Sequence, residues 1–119
     1  MTIGNWGYDN GNIPTAAMTQ SGGVYLKPST AAQCDAWLAA AAAQSVALAF
    51  NEGYRDLATQ EYWRTVWTNK GLPNNAAVPG TSTHGYGQAV DINRDAYSDA
   101  EYQIIIDTGE QFGDDPELE

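Results

Sequence analysis

The sequence predicts a small α+β domain, a small antiparallel sheet with flanking helices. Three observations carry this. Helix-like and strand-like patterns alternate along the chain, in the order helix, strand, helix, strand, helix, behind an irregular N-terminal arm. Two helix starts carry capping signatures, Thr30 with Gln33 and Ser98 with Glu101. Finally, 13 aromatics and 18 alanines add buryable surface and close helix packing to a chain with only 19 Leu, Ile, Val and Phe among 119 residues. Without them, so few large aliphatics at a net charge of -10 would mark a disordered chain. The expectation is one domain over residues 1–119 with an aromatic core.

The elements follow in order. The first 28 residues are rich in Gly, Asn and Pro, and read as an arm with turns at Asn10-Gly11 and Ser21-Gly22-Gly23. A short strand is expected at Tyr25-Leu26. Pro28-Ser29-Thr30 opens the first helix, with Cys34, Trp37, Leu38 and Ala41 on one face. The alanine run that follows is an excellent helix former. Val46, Leu48 and Phe50 alternate with Ala47 and Ala49, the period of a strand, which Asn51-Glu52-Gly53 ends. A second helix is expected from about Thr59 to Lys70-Gly71, with Gly as its left-handed cap and an apolar stripe of Tyr62, Trp63, Val66 and Trp67. Residues 71–87 read as a loop and Gln88 to Ile92 as a strand. Ser98 and Glu101 open a third helix through Tyr102, Ile105 and Ile106.

Charge excludes several functions. An isoelectric point near 4.1, with three Arg and two Lys, leaves no basic face for nucleic acid or an anionic membrane surface. The longest strongly apolar run, Ala36 to Ala43, is too short to span a bilayer. The first residues lack the basic and apolar regions of a secretory signal, so none is expected. A single cysteine, Cys34, rules out an internal disulfide. Between Asp95 and Glu119 stand nine acidic residues and no basic one, a pattern that reads as a solvated face.

The segment that carries chemistry is Ser82-Thr83-His84-Gly85-Tyr86-Gly87-Gln88-Ala89-Val90-Asp91. The chain's one histidine stands seven residues before an aspartate placed in a short apolar strand, where a carboxylate is costly unless paired or metal-bound. Imidazole and carboxylate are standard zinc ligands. From spacing alone, His84 also reads as a hydrogen-bonded residue of the core or surface, and Asp91 as a cap on the following loop. Arg55 by itself reads as a partner for one of fifteen carboxylates.

Ser82-x-His84-x-x-Gly87-x-Ala89-x-Asp91 reproduces the S-x-H-x-x-G-x-A-x-D motif, and here the chain resembles the VanY-type zinc D,D-carboxypeptidases and related phage cell-wall endopeptidases. Gly53-Tyr54-Arg55 with Ala58-Thr59-Gln60 resembles the family's G-Y-R-S-x-x-x-Q segment, with Asp56 where Ser is usual. Pro79-Gly80-Thr81-Ser82 and Asn10-Gly11-Asn12-Ile13-Pro14 extend the likeness over most of the chain. The resemblance implies a Hedgehog/D,D-peptidase-like fold, peptidoglycan stem peptide as substrate and Zn2+ as cofactor. It assigns His84 and Asp91 as zinc ligands, Arg55 as the group that stabilises the developing oxyanion or holds the substrate carbonyl, Ser82 to hydrogen bonding on the substrate side, and Gln60 to the substrate side or the support of the Arg55 segment.

The family closes its site with a C-terminal E/D-x-x-H, which supplies the third zinc ligand and the general base. This sequence stops at Asp115-Pro116-Glu117-Leu118-Glu119, so Glu119 matches the base and no second histidine follows. Asp107, Asp114, Asp115 and Glu117 are the remaining oxygen donors nearby. Two expectations stand side by side. One is a peptidase whose chain breaks off inside its closing motif. The other is an inactive relative serving as a phage virion structural protein or wall-binding module. Either is expected to be made in the cytoplasm and to reach the wall after release or on a virion.

Overall fold

The computed structural model describes residues 5–111 and the backbone of residues 117–118. It is a small α+β fold of three helices and short strands. Strands β1 (Thr19–Ser21) and β2 (Val24–Leu26) form an antiparallel hairpin in which Gln20 faces Tyr25. Gly22 and Gly23 form its turn at φ +57° and +82°, the left-handed pair that a tight two-residue hairpin demands. Helix α1 spans Pro28–Ala43, α2 Leu57–Asn69 and α3 Asp99–Glu110. Strand β3 (Ala89–Val90) pairs in parallel with β4 (Glu117–Leu118). The hairpin is the expected small antiparallel sheet, and the β3–β4 pairing adds a parallel one.

Local chemistry explains where the helices begin and end. α1 starts at Pro28, whose fixed φ suits the first helical position, with Lys27 as its N-cap and no side-chain cap bond. Thr30 is thus inside the helix and buried, and the expected Thr30–Gln33 capping box does not form. α1 ends on Ser45 at φ +64°, with Val46 N–H bonded to Ala41 O at 3.0 Å, a Schellman closure made without glycine. α2 starts two residues earlier than predicted. Asp56 is its N-cap and accepts from Thr59 N–H at 2.7 Å. The Thr59 hydroxyl and N–H together hold the Asp56 carboxyl below its ordinary pKa. Gly71, at φ +76°, closes α2 as expected, with Leu72 N–H bonded to Trp67 O at 2.9 Å. α3 carries the predicted capping box, Ser98 and Glu101 each bonding the other's backbone.

The core lies between α1, α3 and the strand segments. Leu26, Cys34, Trp37, Ala41, Val46, Leu48, Phe50, Val90, Ile92 and Ile105 are all buried. Among the described residues only Trp37 and Phe50 are buried aromatics, their rings 5.8 Å apart, so the core is mainly aliphatic rather than aromatic. Trp37 satisfies its indole N–H on Ile105 O at 2.9 Å, tying α1 to α3. Residues 46–50 keep the predicted in-out alternation but form no ladder; pairing begins one step later, at the bridge between Glu52 and Asp91. The α2 stripe differs most from expectation. Its aromatics stay largely outside the core, with Tyr62 61% and Trp63 37% exposed, and Gln60 is the buried residue of that helix.

Candidate active site

The site is assembled on the backbone first. Asp91 N–H donates to Glu52 O at 2.9 Å and Asn51 N–H to Asp91 O at 2.8 Å, clamping the two segments that hold Glu52, Arg55 and Asp91. Arg55 N–H donates to His84 O at 3.0 Å, which adds the histidine loop. That loop is a 3-10 turn over Thr83–Tyr86, closed by Gly87 at φ +67°. Ser82 is its N-cap, its hydroxyl accepting from His84 N–H at 3.2 Å.

The side chains converge on Asp91. His84 is fully buried, and its Nδ1 lies 2.7 Å from Gly53 O. A carbonyl can only accept, so Nδ1 carries a proton; Nε2 is then a lone-pair donor to a metal in the neutral ring and a second N–H in the imidazolium. Nε2 faces Asp91 Oδ1 at 3.2 Å. Two acceptors hold that separation only with a proton or a cation between them. Arg55, its side chain 13% exposed, sits between two carboxylates. Its Nε donates to Glu52 Oε1 at 2.5 Å and its Nη2 to Asp91 Oδ2 at 3.3 Å. Asp91 thus serves His84 with one oxygen and Arg55 with the other.

Beside these groups lies a part-buried amide network. Gln60, 3% exposed, donates through Nε2 to Asn10 Oδ1 at 3.0 Å and to Arg55 O at 3.1 Å. Its Oε1 accepts from Gly80 N–H at 2.9 Å. Asn10 Nδ2 donates to Ser82 O at 2.8 Å. Both ends of the Gln60 amide are therefore taken by protein, which places it in the expected support of the Arg55 segment, holding the loops that carry Arg55 and Ser82. Gly11 N–H, donating to Gly85 O at 2.8 Å, joins the N-terminal arm to the same loop.

Above lies an open cleft of about 890 Å³. Glu52, Arg55, Ser82 and Asp91 line one part of it, Trp63 and Trp67 of α2 another, and residues 74–77 of the following loop a third. Arg94 stands at its edge, its guanidinium 4.3 Å from the Tyr102 ring centroid and paired with Asp99.

The sequence profile of the VanY family, D-alanyl-D-alanine carboxypeptidase, matches residues 23–114, more than three-quarters of the chain. The chain belongs to the VanY family. No curated protein matches it. As a VanY domain it carries the peptidoglycan stem peptide as its implied substrate class and hydrolysis of that peptide as its implied activity.

The structure brings together His84, Asp91, Arg55 and Ser82, all named from the sequence. Glu119 lies outside the described residues, as do Asp114 and Asp115 and the side chain of Glu117. Asp107 is exposed on α3 and accepts from Gln103 at 2.8 Å. Among the described residues no group of three His, Cys, Asp or Glu is gathered for a metal. His84 and Asp91 nevertheless fit one as a pair. Two ligands about 2.1 Å from a tetrahedral zinc lie roughly 3.4 Å apart, close to the observed 3.2 Å. The fixed Nδ1–H tautomer also leaves the correct nitrogen facing Asp91. Sequence reasoning missed Glu52, the Gly53 carbonyl and Asn10. Glu52 lies three residues before Arg55, and that spacing was the one local signal.

Proposed function

We propose that the protein is a zinc-dependent peptidoglycan D,D-carboxypeptidase that removes a terminal D-alanine from the stem peptide. The observation that carries this is the convergence of His84 and Arg55 on Asp91, with Arg55 and Asp91 lining the cleft, His84 buried behind them and its Nδ1–H fixed by Gly53 O. His84 Nε2 and Asp91 Oδ1 are two of the three protein ligands that a catalytic zinc takes. Zinc, when bound, supplies a Lewis acid for the amide carbonyl and lowers the pKa of a bound water.

The chain's own groups have separable tasks. Gly53 O and the Ser82 hydroxyl hold His84 in place, through its ring and its backbone respectively. Glu52 and Asp91 fix the Arg55 guanidinium from two sides, so it is already oriented when negative charge grows on the carbonyl oxygen. A preorganised donor of this kind is worth roughly 3–4 kcal/mol of transition-state stabilisation. The proton acceptor implied by the resemblance is Glu119. The proposed place of action is the bacterial wall, reached after release or on a phage particle.

The test is D-alanine release from a stem pentapeptide by the full-length gene product supplied with zinc. Release of one D-alanine per stem is expected. Cleavage between L-alanine and D-glutamate would make it an endopeptidase instead. No cleavage of either bond would overturn the enzymatic reading.

A further inference from the structure

The aromatic stripe of α2 takes no part in the chemistry above. We propose that Trp63 and Trp67, with Asn74 and Asn75 of the adjoining loop, form a saccharide subsite for the glycan strand that bears the stem peptide. This rests on the reading of the protein as a peptidoglycan hydrolase and names a second part of its substrate.

Four observations support it. First, Trp63 and Trp67 are one helical turn apart on a common face and both line the cleft. With Trp63 37% exposed, this face is apolar surface left unburied beside the catalytic groups. Second, the loop wall is tied to the same helix, because Arg64 Nη1 donates to Pro73 O and Ala76 O, each at 2.9 Å. Aromatic and amide walls therefore form one unit. Third, the chemistry of that unit suits a sugar. An indole face has negative π density that packs against the slightly positive C–H face of a pyranose. The neutral carboxamides of Asn74 and Asn75 both donate and accept, matching hydroxyl and acetamido groups. Fourth, the cleft of about 890 Å³ lies near the top of the usual range for small-ligand pockets and exceeds what a terminal dipeptide fills. The cations that line it, Arg55 and Arg94, belong to other segments, while Lys70 at the end of α2 stands 5.0 Å from the Trp67 ring centroid and leaves Trp63 as the more exposed ring of the pair.

The experiment is calorimetric titration of the protein, without zinc, with peptide-free glycan strands of alternating N-acetylglucosamine and N-acetylmuramic acid. Saturable binding is expected, together with protection of tryptophan fluorescence from iodide quenching. Trp63→Leu, which removes the π face but keeps an apolar side chain, is expected to weaken binding at least tenfold. Trp63→Tyr, which keeps a ring, is expected to stay within about threefold of the parent. Absence of saturable binding by the parent protein, or unchanged affinity in a folded Trp63→Leu, would overturn the proposal. So would equal shielding of tryptophan by free stem peptide. Because neither zinc nor turnover is involved, a failure here is distinct from a failure to release D-alanine.

Discussion

Gly85 to alanine is the substitution expected to disturb the site most through packing alone. A Cβ at this position would lie 1.8 Å from Asn10 Oδ1 and 2.6 Å from Gln60 Nε2, so both amides must move. Their displacement gives up the Asn10–Ser82, Gln60–Asn10 and Gln60–Arg55 hydrogen bonds and strains the Gly80–Gln60 bond. At about 1 kcal/mol net for each, and more where a buried group is left unpaired, the cost is roughly 2–4 kcal/mol. That is a large share of the 5–15 kcal/mol typical of a domain. For a chain of this size it corresponds to a fall in Tm of about 10 °C. Urea unfolding of the wild type, Gly85→Ala, Asn10→Ala and the double variant measures it. Removing the Asn10 amide relieves the nearest clash, so Gly85→Ala should cost at least 1 kcal/mol less in the Asn10→Ala background, as coupled neighbours do. Strict additivity, or a cost below about 1 kcal/mol for Gly85→Ala alone, would show that the amide network does not support the histidine loop.

Two further outcomes follow from single residues. Asp56→Ala should cost about 1 kcal/mol at neutral pH through the lost N-cap of α2. The folded-state pKa of Asp56 is lowered by Thr59, so this stabilisation is present above the unfolded value and fades as pH falls through the folded one. Urea midpoints measured from pH 7 down to pH 2 should therefore show the gap between wild type and variant narrowing below about pH 4; a gap that is constant across that range would refute the charge assignment. Arg55→Ala should lower kcat by about 10²–10³-fold while changing zinc affinity less than loss of His84 does. Steady-state D-alanine release alongside chelator competition separates the two effects, and equal loss of zinc would reassign Arg55 to the metal.

What could be read from the sequence divides along physical lines. The α3 capping box and the Gly71 closure were legible because each depends on side chains and backbone within a few residues. Thr30 misled for the same reason in reverse. Its signature was sound, but Pro28 two residues earlier is a better start and placed Thr30 inside the helix. The alternation at 46–50 reported burial correctly, whereas ladder formation depends on a partner segment that no local pattern reveals. The apolar stripe of α2 is visible in the sequence, but helical spacing is the same whether a face meets the core or a cleft, so its place beside the cleft is not. In the site, His84, Asp91 and Arg55 stood out by residue type and spacing. Asn10 and the Gly53 carbonyl became visible only once tertiary contacts brought them, across 72 and 31 residues, to Ser82 and His84.

The central claim is that His84 and Asp91 form a zinc-binding pair in a stem-peptide hydrolase. It is tested most directly by measuring zinc affinity of the full-length gene product by chelator competition, alongside His84→Ala and Asp91→Asn. The proposal predicts one zinc per chain in the wild type, a loss of at least a hundredfold in affinity for each variant, and parallel loss of D-alanine release. No bound zinc in the wild type, or wild-type affinity retained by His84→Ala, would contradict it.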